Sequence, residues 1–148
     1  VRRVMETSSI QVLEGDRVAA TENEEMASLE DTEHLDIPSG VEVYEINGPF
    51  FFGLASRFEE FEKMKTADTK VRIIRMRKVP FIDSTGVNNL RNLCERTRKR
   101  GVTVILSGVT ENVRATLGKF GVDKEIGADH IFPHIIPALA KANEIVTK

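Results

Sequence analysis

The 148-residue chain is poor in residues on which several classes of protein depend. Its single cysteine, Cys94, cannot form an internal disulfide framework or a zinc site built from several cysteines. No apolar run approaches the roughly 20 residues that a membrane-spanning helix needs. The first ten residues also lack the apolar stretch of a secretory signal. We therefore expect a soluble domain from a reducing compartment.

An initiator methionine is also missing, because the sequence begins with Val1, and this suggests a piece of a longer protein. The net charge of −2 hides an asymmetry: residues 1–40 carry three basic and ten acidic side chains, whereas residues 41–148 carry eighteen basic and thirteen acidic. This change predicts an acidic linker, residues 1–39, before one folded domain, residues 40–148. The basic excess lies mainly in residues 72–78 and 96–100, which we interpret as a solvated strand edge and a solvated helix end.

Alternating and helical patterns of apolar residues follow one another along the chain. Thr110 marks the start of one predicted helix, and Gly101 and Gly121 mark the ends of two. The predicted strands span residues 41–46, 71–82 and 102–109, with shorter ones within residues 8–15, at 50–52 and at 130–132. The predicted helices span residues 54–65, 87–100, 110–120 and 133–146. This order predicts an α/β fold in which a mixed central β-sheet is flanked by about four α-helices.

The motifs of common catalytic and nucleotide-binding sites are missing. The chain contains no nucleophile elbow, P-loop or Rossmann fingerprint. His130 and His134 are four residues apart, but Pro133 lies between them and no cysteine or acidic cluster accompanies them, so we expect no zinc site. Cys94 lies on the apolar face of its predicted helix and is interpreted as a buried core thiol. We therefore expect no catalytic residues, no metal and no cofactor.

The segment Asp83-Ser84-Thr85-Gly86 stands where a long predicted strand gives way to a helix. In one interpretation Asp83 or Ser84 is the helix N-cap, and Gly86 permits close backbone packing. In the other, an exposed hydroxyl serves a phosphate-related role, which the helix dipole favours although Asp83 opposes it by repulsion. The two are compatible, because one residue can cap the helix while its neighbour is exposed.

This corner, the helix after it, Gly101 and the apolar strand "VTVILSGV" together resemble the STAS domain that sulfate transporters and anti-sigma-factor antagonists share. The resemblance covers roughly residues 40–148. In the antagonist branch a kinase phosphorylates the second hydroxyl of the corner, a position that corresponds to Thr85. The segment "INGPFFFGLASRFEEF", residues 46–61, instead resembles the sulfate permease (SulP) form and lacks the antagonists' aspartate. We therefore favour the permease branch.

The permease resemblance implies the cytoplasmic C-terminal regulatory STAS domain of a SulP-type transporter for sulfate or a related anion, at the cytoplasmic face of the cell membrane. Residues 1–39 would then follow the last membrane helix. The partners implied are the transmembrane domain of the same polypeptide and a second copy or a cytosolic regulatory protein, with a nucleotide as a further candidate ligand and no nucleic acid. The alternative is an anti-sigma-factor antagonist or stress-complex protein phosphorylated at Thr85. The candidate contact residues are the corner, Asp83, Ser84, Thr85 and Gly86, and the helix face after it, Asn88, Asn89, Arg91 and Asn92.

Overall fold

Four strands and the helices between them account for most of the chain that the computed structural model describes, namely residues 9–13, 36–48 and 68–148. The predicted strand at residues 50–52, the predicted helix at 54–65 and most of the acidic linker lie outside these residues. In chain order the elements are β1 (Ser9–Leu13), β2 (Val41–Asn47), β3 (Val71–Lys78), α1 (Ser84–Lys99), β4 (Thr103–Ser107), α2 (Glu111–Lys119), α3 (Val122–Ile126), a 3-10 turn (Ala128–His130) and α4 (Ile135–Val146).

The strands form a mixed sheet in the order β1-β2-β3-β4. β1 is an edge strand and pairs antiparallel with β2, whereas β2, β3 and β4 are parallel to one another. The short edge strand predicted within residues 8–15 is therefore present. The short strand predicted at residues 130–132 is reduced to one parallel bridge between Ile131 and Leu106. The predicted α/β fold with a mixed central sheet is therefore confirmed.

Helices cover both faces of the sheet. Alternate residues of β3 point to opposite faces, so that Ile74 packs with α1 to α3 in one core and Ile73 packs with α4 in the other. Leu90 of α1 is buried in the first of these cores, and Leu139 of α4 is buried in the second. Because both faces are covered, residues 71–76 of β3 are all buried.

The interpretation of residues 72–78 as a solvated strand edge is wrong. β3 is a central strand, and Arg72 and Arg75 are among the largest fully buried side chains of the described chain. Two glutamates on the neighbouring strand compensate their charges, because Glu42 is in register with Arg72 and Glu45 with Arg75. The guanidinium of Arg72 also lies over the Tyr44 ring, 4.8 Å from its centroid.

The interpretation of the second basic tract is confirmed. Residues 96–100 form the last turn of α1 and its end, and all four of their cationic side chains are exposed. Between them Thr97 is buried, with its hydroxyl donating to Leu93 O at 2.8 Å. The tract thus lies beyond the amino ends of the parallel strands, next to the start of β4.

Candidate functional site

The candidate corner begins at the carboxyl end of β3. Val79 N–H donates to Met76 O at 3.0 Å, which turns the chain away from the sheet. Val79 and Ile82 are both buried in the core of α1 to α3, and Asn112 on α2 donates its amide to Pro80 O at 3.0 Å. The loop between β3 and α1 is therefore anchored by two apolar side chains and by the hydrogen bond from α2.

Asp83, one of the two residues predicted to cap the helix, is the N-cap of α1. Its backbone is extended, with φ −94° and ψ −179°, and its Oδ1 accepts a hydrogen bond from Gly86 N at 2.8 Å. Its carbonyl accepts the first helical hydrogen bond, from Val87 N at 2.8 Å. Gly86 is buried, as is Val87. A cap of this kind typically stabilises a helix by about 1 kcal/mol, so the carboxylate has a structural role that requires no ligand.

Ser84 and Thr85 are the first two residues of α1, and both are exposed. Their side chains lie at the positive end of the helix dipole, where an anionic group is favoured, although the Asp83 carboxylate is one or two residues away. Each side chain is accessible to a protein partner or to a modifying enzyme.

The four candidates on the helix face divide into two sets. Asn88 and Asn92 are exposed and one turn apart, and they continue the side of α1 that Ser84 and Thr85 begin. Together these four form one exposed row, the corner strip: Ser84, Thr85, Asn88 and Asn92.

Arg91 and Asn89 do not belong to the corner strip. Arg91 Nε lies 3.0 Å from Glu125 Oε1, and its guanidinium donates to Phe120 O at 2.6 Å. Arg91 therefore ties α1 to α3 and to Phe120, the residue that follows α2. Asn89 is half-buried.

Phe81 is a corner residue that the sequence analysis missed. Its side chain is 45% exposed although it is large and apolar. The neighbouring Val79 and Ile82 occupy the core, and this leaves Phe81 at the surface three residues before Ser84. The uninterrupted apolar run "VPFI" has no alternation that could have indicated which of its side chains is exposed. We call Phe81 together with the corner strip the corner surface.

A buried ion cluster at the carboxyl ends of β2 and β3 was also missed. Glu45 is 2% exposed and its carboxylate faces three cations. Arg75 NH1 lies 3.6 Å from Oε1, Arg77 Nε lies 3.2 Å from Oε1, and Lys78 Nζ lies 3.4 Å from Oε2. The cluster joins two neighbouring strands just before the corner, so its role is to fix the strand ends. Glu42 and Glu45 are three residues apart in β2, and Arg72 and Arg75 are three residues apart in β3. This matching separation could have indicated the pairing.

Two buried titratable side chains, those of Cys94 and Tyr44, are held in their neutral forms. Burial raises the pKa of the Cys94 thiol from an ordinary value of 9.0 to about 12, and the predicted buried core thiol is confirmed. Burial, followed by the hydrogen bond from its hydroxyl to Glu42 Oε1 at 2.8 Å, raises the pKa of Tyr44 as well. Neither side chain can serve as a nucleophile at neutral pH.

The two C-terminal histidines have separate surroundings. His130 Nδ1 lies 3.3 Å from Val104 O, whereas His134 is the exposed N-cap residue of α4. Within residues 9–13, 36–48 and 68–148 no group of three or more His, Cys, Asp or Glu side chains is placed to hold a metal ion. In the same part of the chain, no helix combines the length and the apolar character that crossing a bilayer requires.

Comparison with known proteins identifies the architecture. A family model described as "STAS domain" matches residues 34–140. YvdB of Bacillus subtilis (strain 168), which bears a sulfate-transporter name, is 31% identical over 98 residues. That alignment covers 64% of this chain but only 18% of the relative, so the chain corresponds to about a fifth of that protein.

Solved structures of transporter domains share this fold over most of the chain. A sulfate transporter family protein from Wolinella succinogenes is 44% identical, with a TM-score of 0.70, and the match covers 76% of this chain and 92% of that one. The SulP transporter STAS domain from Vibrio cholerae is 33% identical, with a TM-score of 0.67, and the match covers 85% of this chain and all of that one. The resemblance to the permease branch is confirmed.

Proposed function

The chain belongs to the STAS domain family, as the domain found in SulP transporters, and from this premise we propose that it regulates an anion transporter from the cytoplasmic face of the membrane. The transported ion would be sulfate or a related anion, since the relatives bear sulfate-transporter names. The domain would act by contact with the transmembrane part of the same polypeptide. The similar proteins are transporter domains rather than enzymes.

The observation that carries this proposal is the corner surface itself. Exposed aromatic side chains close to polar groups are typical anchors of protein interfaces, and the exposed Phe81 lies three residues before the start of the corner strip. The strip is rigid because Asp83 caps α1 and because the loop before it is anchored in the core. A rigid surface loses little side-chain and backbone entropy when it binds a partner.

Rigidity also explains how a contact at the corner could influence transport. β3 leads directly into the corner, and the Glu45 cluster fixes the end of β3 to β2. A force or displacement at the corner surface would therefore move the sheet as a unit rather than bend one loop. A second copy of the domain or a cytosolic protein could bind the same surface and compete with the transmembrane part.

The proposal is tested in the full-length transporter by sulfate uptake into proteoliposomes. We expect Phe81→Ala to change the uptake rate by about fivefold, because truncating an interface anchor typically changes binding by more than 1 kcal/mol. The matched control is Phe120→Ala, since Phe120 is a similarly exposed aromatic residue, at 40%, outside the corner surface. Equal uptake by both variants and the parent protein, at equal amounts in the membrane, would refute a regulatory contact at this surface.

The exposure of Thr85 favours a second candidate function, phosphorylation of the kind found in the antagonist branch. A phosphate there would add a charge of about −1.5 to −2 within the corner surface and would change any contact made by it. Incubation with the cognate kinase and ATP, read by intact mass, tests this. Stoichiometric phosphate that Thr85→Ala abolishes would support this candidate, and an unchanged mass would remove it.

A nucleotide is the remaining candidate ligand, because helix N-termini favour phosphate groups. Titration of the isotope-labelled chain with GTP or ATP tests it directly. Saturable shifts of the Thr85 and Gly86 amide resonances would support nucleotide binding at the corner, whereas unshifted resonances would dismiss it.

A further inference from the structure

A patch of four exposed cations at the end of α1 plays no part in the function proposed above. Residues 96–100 hold three arginines and one lysine around the buried Thr97, and we call this stretch the basic tract. All four cationic side chains are exposed. Glu95, one position earlier, is the single acidic side chain of α1. The basic tract therefore keeps an excess of positive charge that attracts anionic groups.

Backbone hydrogen bonds place the basic tract at the amino ends of the parallel strands. Val102 N–H donates to Thr97 O at 3.3 Å, and Thr103 N–H donates to Lys70 O at 2.9 Å. Lys70 N–H in turn donates to Gly40 O at 2.7 Å. The residues before β2, the residues before β3 and the end of α1 therefore follow one another across this end of the sheet. Two strand spacings, or about 10 Å, separate the start of β2 from the start of β4.

An acidic segment of the same chain connects to the sheet at this end on both sides. β1 ends at Leu13, which is in register with Val43, and β2 begins at Val41. Between these strands, residues 14–35 carry eight acidic side chains, one arginine and no lysine. A turn between antiparallel neighbours needs only about two to five residues, so the connection is far longer than the pairing of β1 with β2 requires. Ten extended residues span about 33 Å, which is enough to reach the basic tract from either strand.

We propose that the basic tract binds the acidic segment, residues 14–35, of the same chain. Carboxylates of the segment pair with Arg98, Lys99 and the neighbouring arginines, and the contact holds the connection between β1 and β2 against the end of α1. Each exposed ion pair is weak by itself. Because both ends of the segment are joined to the sheet, its effective concentration at the basic tract is on the order of millimolar, so that several weak pairs suffice.

The contact also controls what else the basic tract can bind. An occupied tract is less available to other anions, such as the head groups of anionic lipids, because its cations are already paired. The tract lies at the opposite end of α1 from Ser84 and Thr85. The proposal therefore does not depend on the function proposed for the corner surface.

The test is paramagnetic NMR of the isotope-labelled 148-residue chain with a nitroxide attached at Ser28→Cys, within the acidic segment. The buried Cys94 thiol does not react at neutral pH, so the label is confined to position 28. At low salt we expect strong broadening of the Lys99 and Gly101 amide resonances, with the reduced label as the reference. The Thr85 resonance, about 20 Å away along α1, should broaden much less. Salt at 0.5 M should remove most of the broadening, because it screens exposed charges.

Two double variants make the same change of net charge in different places. Arg98→Glu combined with Lys99→Glu reverses the charge of the basic tract, and the paramagnetic broadening of Gly101 should fall about fivefold, since each exposed pair contributes a small factor to the equilibrium. The matched control is Lys119→Glu combined with Lys124→Glu, which changes two exposed lysines outside the tract. It should change the broadening by about twofold or less.

Two further measurements identify the occupant of the basic tract. A mixture of isotope-labelled chain without nitroxide and unlabelled chain with nitroxide reports contact between copies, and we expect no broadening of the tract in it. Vesicles of phosphatidylglycerol should shift the Lys99 resonance more strongly when the segment is neutralised by Glu24→Gln, Glu25→Gln, Glu30→Gln and Asp31→Asn.

Three results would overturn the proposal. The first is equal broadening in the two double variants, which would mean that proximity along the chain and not charge brings the segment to the tract. The second is broadening that appears in the mixture as strongly as in the labelled chain, which would make a second copy the occupant. The third is an equal effect of vesicles with and without the neutralised segment. An unchanged resonance of the buried Leu106 in each variant establishes that it is folded.

Discussion

Gly108 provides a sharp test of how the strand ends below the corner are packed. It follows β4 directly and has a φ of +66°. A Cβ atom at this position would lie 2.6 Å from Arg77 N and 2.9 Å from Arg77 Cα. These are backbone atoms of β3, which pairs with β2 and β4 and therefore cannot move without disturbing the sheet. Gly108→Ala therefore combines an unfavourable backbone conformation with a steric clash.

The expected loss follows from these two contributions. A left-handed conformation costs about 1–2 kcal/mol for a residue with a Cβ, and overpacking against a fixed backbone costs about 1–3 kcal/mol more. A stiffer unfolded chain offsets about 0.4–1 kcal/mol. We therefore expect Gly108→Ala to lower the free energy of unfolding by about 2–4 kcal/mol, measured by urea denaturation followed by circular dichroism.

Two other glycines provide matched controls. Gly101 and Gly121 have φ values of +83° and +77°, but a Cβ on either would meet no atom within 4 Å. Gly101→Ala and Gly121→Ala should therefore lower the free energy of unfolding by only about 1 kcal/mol. Equal losses in all three variants would show that the close approach of Gly108 to β3 does not matter and would refute the reasoning.

Three further predictions concern the cap, the ion cluster and the core thiol. Asp83→Ala should lower the free energy of unfolding by about 1 kcal/mol in the same assay, and Asp83→Asn should restore most of it; equal losses would contradict the cap. Glu45→Gln should lower it by about 3 kcal/mol, because the buried Arg75 loses its carboxylate, and a loss below about 1 kcal/mol would show that the cluster is dispensable. The Cys94 thiol has a pKa of about 12 in the folded chain and an ordinary pKa of 9.0 in the unfolded chain, so between these pH values only the unfolded thiol loses its proton. The free energy of unfolding should therefore fall above pH 9, by up to about 1.4 kcal/mol per pH unit more steeply than in Cys94→Ala, and identical slopes would contradict the burial.

Local chemistry made the helix boundaries predictable from the sequence. Thr110 caps α2, as predicted, with its hydroxyl accepting from Val113 N at 3.2 Å. Asp83 caps α1 in the same way, and the glycines at 101 and 121 adopt the positive φ that ends a helix. These interactions join residues three or four positions apart, so the sequence around each helix end is enough to predict it.

Long-range pairing explains what the sequence did not show. Arg75 looks like a surface cation until β2 is placed beside β3, because its partner Glu45 is 30 positions earlier in the chain. The register that joins them is a property of the sheet and not of either segment. The contacts of Arg91 could not be predicted for the same reason, since its bonds with Glu125 and Phe120 depend on how α3 follows α2. The exposure of Phe81 likewise depends on which neighbours enter the core.

Contact between the corner surface and the transmembrane part is the central claim, and site-specific photo-crosslinking tests it most directly. The photoreactive residue benzoylphenylalanine replaces Asn88 in the full-length transporter, and the products are mapped by mass spectrometry. The control places it at Ile136 on α4, which is 52% exposed and outside the corner surface. We predict crosslinks from position 88 to the transmembrane part of the same polypeptide and none from position 136. Crosslinks from position 136 alone, or equal crosslinks from both positions, would contradict the account.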